Sequence, residues 1–367
     1  MPSPAIFQAE TFDDLPGWAD DDHLAAFGAF RRSAFRVEVK PYRAGSLGIA
    51  PEAFGPAFDD ARRAEITAPL AARGFFERHF RPFLIRTHDS KPGLVTGFYE
   101  PIARASDTQS EEFRYPVYAR PDDLVEIDET NRPAGIDPSF RFARAGAGAL
   151  TEYFDRRAIE SGALAGRGLE IAWLADRVDL FFIHVQGAAR LVFPDGATRR
   201  ITYAAKSGHP FTGIGRVLAD SGEIPLEKVT MQSIRAWLAT HPDRIDEILW
   251  QNRSFIFFAE RAVEDEDLGP IAAAKVPLTA GRSIAVDRLL HTFATPFFID
   301  APTLRAFGGN AFRRLMIAQD TGSAIVGAAR GDLFAGSGPA AGEIAGVVRH
   351  EAQFHVLVPA ALAEAWA

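Results

Sequence analysis

Apolar positions recur at helical spacing early in this chain and in short strand-like runs further on. Between positions 70 and 83, Phe75, Phe76, His79 and Phe80 fall at helical spacing, predicting a helix that Pro82 ends. Residues 94–101 read as a short strand halted by proline. Residues 103–113 are polar and turn-forming, a first candidate domain boundary. Residues 115–119 are a further candidate strand, and the apolar run 180–186 is a stronger one. Residues 190–193 and 200–204, joined by the Pro194-Asp195-Gly196 turn, predict a hairpin. Thr151 is a candidate cap for a helix carrying Phe154, Ala158 and Ile159 and closed at Gly162. Three helical segments follow. Thr212 would cap the first and Thr230 the second, while the third carries Ile245, Ile248 and Leu249. From Phe255 to Val358 the pattern is β-rich, and no internal repeat interrupts it.

Composition narrows the class. At 367 residues the chain is long enough for two domains, and 47% hydrophobic with 24% charged residues describes an ordinary folded protein. The 30 Phe against 6 Tyr place most aromatic rings in cores. A formal net charge of -8 disfavours a nucleic-acid binder, which needs surplus Lys and Arg to neutralise phosphates. The count of Cys is 0, so disulfides, thiolate nucleophiles and Cys-ligated zinc are excluded. The 9 His are scattered, and the Arg349-His350-Glu351 stretch is too isolated to count as a ligand set. No phosphate loop, dinucleotide fingerprint or serine elbow occurs. No cofactor or metal is therefore expected.

The candidate chemistry centres on two acids. The apolar run before Asp320 ends on that carboxyl, turns through Gly322 and Ser323, and leads to Asp332 inside another glycine-flanked apolar stretch. A carboxyl with apolar neighbours such as Leu333 and Phe334 has a raised pKa and suits general acid work. The plainer reading makes Asp332 a turn residue and Asp320 a strand-end cap. Asp320, beside Gln319 and Thr321, is the one expected to stay ionised. Thr96, Gly97, Tyr99 and Glu100 set a hydroxyl, a small residue, an aromatic face and an acid side by side, which suits a sugar ring. Equally, that segment reads as a core strand. His184 and Gln186 fall on one face if their run is a strand, lining a polar groove or satisfying each other. Lys206 and His209 lie in a segment that reads either as a solvated loop or as a holder of acetamido oxygens and carboxylates.

Together these segments resemble the membrane-bound lytic murein transglycosylase A family. The resemblance covers nearly the whole chain and is carried by residues 96–101, 185–187, 203–209, 214–218, 231–234 and 318–338. It implies a mainly β fold with helices: a discontinuous double-psi β-barrel domain (1–105 and 245–367) and an inserted β-barrel-like domain (106–244), with a glycan groove between them. It implies lytic cleavage of peptidoglycan between N-acetylmuramic acid and N-acetylglucosamine, with Asp332 as the acid/base and Asp320 close by. Thr96, Gly97, Tyr99, Gln186 and Gly187 would contact the glycan, as would Tyr203, Lys206, His209, Gly322 and Ser323. Glycan strands are the expected partner, with other cell-wall enzymes as further candidates, and a monomer is the expected state. A periplasmic site follows, with outer-membrane association in lipid-bearing members. Their lipidated Cys is absent here, and no targeting segment is visible at the N-terminus. Gln186-Gly187-Ala188-Ala189 replaces the family's Gln-Gly-Ser-Gly, and Ser207 stands where Asn is usual. The competing functions are a hydrolase using Asp320 and Asp332 with water, and a non-catalytic wall-binding protein.

Overall fold

Both ends of the chain build one unit together. The computed structural model describes residues 7–86, 92–146 and 148–366. The chain divides into a unit formed by residues 1–99 with 265–367, and a second formed by residues 100–264.

In the first unit, strands Gly93–Glu100, Arg349–Pro359, Pro296–Ala301, Phe312–Asp320, Ser283–Val286 and Arg330–Ser337 pair in that order. The last pairs with the first, so the ring closes into a barrel without a free edge. Ser283–Val286 and Phe312–Asp320 run parallel; the pairs that flank them are antiparallel. Strands Phe80–Ile85 and Phe7–Ala9 extend the sheet from Arg349–Pro359. Helix His23–Val39 starts where the Asp22 carboxylate accepts the Ala25 amide at 3.1 Å, a cap contributing about 1 kcal/mol. Its apolar stripe, Ala26, Phe27, Ala29, Phe30 and Ala34, is buried in the main core. There Phe30 meets the rings of Phe58, Phe75, Phe76 and Phe80.

Pro82 does not end the preceding helix. That helix, Pro69–His79, stops where Phe80 turns extended, and Pro82 sits inside the next strand. A residue before proline is pushed towards extended backbone, so Pro82 favours the strand rather than punctuating the helix. Gly97 answers a close approach. A Cβ there would lie 2.9 Å from the Ala345 Cα, on helix Pro339–Gly346.

In the second unit, strands Ile256–Arg261, Thr198–Lys206, Ala188–Val192, Ile102–Ser106, Glu170–Leu174 and Tyr115–Tyr118 pair in that order. A bridge between Ala119 and Phe258 ties its two edge strands and curls the sheet into a barrel-like form. The expected hairpin is present, with Gly196 at positive φ in its turn. Glu100, 0% exposed, is held between Arg190 and Arg200 at 2.8 and 2.5 Å.

Three expectations fail in this unit. Residues 180–186 belong to helix Arg177–Gln186, not to a strand. The Asp176 carboxylate caps it on Val178 and Asp179, and Gly187 closes it at φ 78. The apolar run 180–183 is too short to show a period of its own, so those two caps decide its form. Thr151 ends the short strand Leu150–Thr151, and Asp155 caps the following helical turn instead, accepting from Ala158. Thr212 is no cap either, since Gly213 precedes helix Ile214–Asp220 and the Thr212 amide bonds to Asn252. Thr230 does cap Met231–Thr240, accepting from Ser233. Among the described residues, no helix is long and apolar enough to cross a membrane.

Candidate active site

Register brings the two acids together. Ala285, on the central strand Ser283–Val286, lies opposite Asp320 on one side and opposite Asp332 on the other. Registered residues share a face, so both carboxyls and Ala285 project the same way, with their backbones about 10 Å apart across two strand spacings. Asp332 is thus the third residue of a strand, not a turn residue. The strand alternation also separates its neighbours. Phe334 shares the Asp332 face in a small cluster with Phe98, Ala285 and Leu278, whereas Leu333 points into the main core. Phe98 and Phe334 meet with ring centroids 5.3 Å apart.

Asp320 reaches this face because of a bulge. The pairing steps from Ile284–Ala318 to Ala285–Asp320, leaving Gln319 as an extra residue. Without that residue Asp320 would face the opposite side. The Gln319 side chain is fully buried. It donates to the Ala29 carbonyl at 2.8 Å and the Ser33 hydroxyl at 2.9 Å, and accepts from the Ser283 hydroxyl at 2.6 Å.

The two acids have different partners. The Thr96 hydroxyl donates to Asp332 Oδ1 at 2.5 Å, and Arg330 donates to the Thr96 oxygen at 2.8 Å. Asp320 Oδ1 accepts the Ala273 amide at 3.1 Å. Burial pushes Asp332 above its usual range, against the Thr96 bond and the Arg330 charge. Burial also raises Asp320, to about 6; the Thr321 and Ala273 amides and Lys275 oppose it, and the neighbouring Asp332 adds to it. Their partners separate their roles. Amides can only donate, so they favour an ionised Asp320. A threonine hydroxyl can donate or accept, so it suits an Asp332 that gains and loses a proton.

The other expected contacts are distributed over both units. Tyr99 is buried and its ring packs beside Gly342, while Gly322 and Ser323 are exposed in the turn after Asp320. In the second unit Gln186 ends its helix half-buried, and the Gly187 carbonyl accepts the Tyr203 amide at 2.8 Å. Tyr203 is 48% exposed. Lys206 is half-buried on the same strand, its pKa lowered by burial and by Arg141. His209 is buried, bonded to the Tyr153 carbonyl at 2.8 Å and set edge-on to Phe140. His184 does not line a strand face with Gln186. On a helix, positions two apart diverge, and buried His184 instead meets Arg156 at 3.1 Å. Sequence reasoning missed Arg330 and Ala273. The one available signal was that Arg330 lies two positions before Asp332, on the same face of its strand.

A closed barrel presenting two desolvated carboxyls on one face, one held by an adaptable hydroxyl, is the equipment of an acid–base enzyme. Comparison with known proteins gives the kind. Residues 94–259 match the MltA specific insert domain, and residues 282–358 match the 3D domain. The chain is similar to the crystal structure of membrane-bound lytic murein transglycosylase from Agrobacterium tumefaciens, at 53% identity and TM-score 0.93, covering 99% of this chain and 100% of that one. It is 34% identical over 268 residues to membrane-bound lytic murein transglycosylase A of Escherichia coli K12, covering 71% of this chain and 64% of that protein's length. Escherichia coli MltA with bound chitohexaose is similar at 28% identity and TM-score 0.67, covering 91% of this chain and 90% of that one. The chain belongs to the membrane-bound lytic murein transglycosylase A family.

Proposed function

We propose that this chain is a lytic transglycosylase that cleaves the β-1,4 bond between N-acetylmuramic acid and N-acetylglucosamine in peptidoglycan glycan strands. The observation that carries the reading is the single row of Asp320, Ala285 and Asp332, with Thr96 bonded to Asp332. Protonated Asp332 donates to the bridging oxygen as the bond to the muramoyl anomeric carbon breaks. The sugar's own C6 hydroxyl attacks that carbon, and ionised Asp332 takes the hydroxyl proton. The proton count closes, no water is consumed, and a 1,6-anhydromuramoyl end forms. An intramolecular nucleophile has an effective molarity on the order of 10⁵ M or more, so no second carboxylate is needed to activate water. Ionised Asp320, on the same face, stabilises the growing positive charge. The names of the relatives, and the chitohexaose bound to one of them, support this substrate class. Their description as membrane-bound supports action at a membrane facing the wall.

Mass spectrometry of fragments released from purified peptidoglycan tests the reaction. Anhydro ends are expected; fragments heavier by one water would make the protein a hydrolase. Asp332→Asn should lower kcat by about 10³-fold or more while glycan binding persists. Retained turnover would remove Asp332 from its role.

A further inference from the structure

We propose that Lys275 binds a carboxylate of the glycan strand beside the acid pair. The inference rests on the function proposed above and goes on to how the strand is recognised. Lys275 occupies the tip of a tight turn closed by the Ile271–Pro277 bridge. Within it the Lys275 amide bonds to the Ala272 carbonyl at 2.9 Å, and the Ala272 amide to the Val276 carbonyl at 3.1 Å. The turn is tied to the acid-bearing strand twice. The Ala273 amide meets the Asp320 carboxylate, and the Ala274 amide meets the Gln319 carbonyl at 3.0 Å. On its other side the Tyr42 hydroxyl holds the Ala274 carbonyl at 3.0 Å, and Ala274 and Val276 are buried against Phe293. Lys275 is therefore fixed relative to Asp320 by backbone bonds.

Two features suggest a ligand. Lys275 has φ 61, one of two non-glycine residues at positive φ among those described. A long side chain is strained in that conformation, where glycine would be free. The Lys275 side chain is exposed and forms no ion pair with any described carboxylate, although its charge is felt at Asp320. An unpaired ammonium carried on a turn that is tied to Asp320 by backbone bonds meets a polymer with carboxylates close to the bond to be cleaved. These are the lactyl carboxylate of a bare muramoyl unit and the carboxylates of a stem peptide. The ammonium would recognise either one as a charge-assisted partner.

Calorimetric titration in an Asp332→Asn background tests this with three ligands: an N-acetylglucosamine oligomer without carboxylates, peptide-free murein strands, and peptide-bearing strands. Lys275→Gln should weaken carboxylate-bearing ligands by about tenfold and leave the carboxylate-free oligomer unchanged. Loss confined to peptide-free strands identifies the lactyl group; loss confined to peptide-bearing strands identifies the stem peptide. Lys275→Arg should retain the preference. Lys275→Gly, which relieves the backbone, should lose it while melting no lower than the parent. Equal weakening of all three ligands, or of none, overturns the inference. If the parent protein releases no anhydro ends, the underlying function fails and this inference fails with it. Anhydro release combined with an indifferent Lys275→Gln variant overturns the inference alone.

Discussion

Asp320 is held against its own stability. Burial raises its pKa from 3.8 to about 6, so the folded protein binds this proton more tightly than the unfolded chain does. Below pH 3.8 both states are protonated and the group costs nothing. Between 3.8 and about 6 the penalty grows, and above that it is complete, at most roughly 3 kcal/mol by the shift. Asp320→Asn should therefore raise the melting temperature at pH 7 by a few degrees, with the gain shrinking to nothing as pH falls below 4. Calorimetric scans across that range check it; a variant that melts lower at pH 7 would show that desolvation is not the governing effect. Both acids were legible as candidates, Asp320 because it ends an apolar run and Asp332 because Leu333 and Phe334 follow it, while the roles proposed for them came from the family resemblance. Arg330 and Lys275 were not, because their importance comes from neighbours 234 positions away at Thr96 and 45 positions away at Asp320.

At the scale of elements, one extra residue decides which way Asp320 points. The bulge at Gln319 rotates the acid onto the Ala285 face, and the Gln319 amide anchors the bulge to helix His23–Val39 and to Ser283. Gln319→Leu keeps the bulk but leaves the Ser283 and Ser33 hydroxyls and the Ala29 carbonyl short of partners. A loss of about 2–3 kcal/mol is expected, together with lower turnover. Urea denaturation and initial rates on peptidoglycan measure the two; unchanged stability would mean that the bulge does not depend on this anchor. The bulge leaves no mark on the sequence, since Ala318, Gln319 and Asp320 read as one uninterrupted strand. The same limit applied to residues 180–186, whose apolar run fits either period. There Asp176 and Gly187 were the legible signals of a helix.

At the scale of the whole molecule, each unit has its own core. The first packs helix His23–Val39 and the barrel strands around Phe30, Phe76, Phe297 and Leu333. The second has one cluster around Leu191, Ile201 and Phe258, and another around Phe181, Leu218 and Trp237. Buried Glu100 and the Arg190 and Arg200 that hold it all belong to the second unit. A fragment of residues 100–264 should accordingly fold alone and melt cooperatively. Circular dichroism of that fragment decides it; a gradual, non-cooperative melt would make the unit dependent on the rest of the chain.

Local pattern was enough for the mainly β character of the chain, the hairpin around Gly196 and the Thr230 cap, and it marked the two aspartates as candidates, because each of these is written within a few neighbouring residues. Family resemblance added the discontinuous barrel, which no local pattern announces. Tertiary pairing alone made Asp320 and Asp332 neighbours of Ala285, turned Leu333 inward and Phe334 towards the acids, and put Thr96 against Asp332. The physical reason is that a strand's register and bulges are set by its partners in the sheet, and these come from distant parts of the chain.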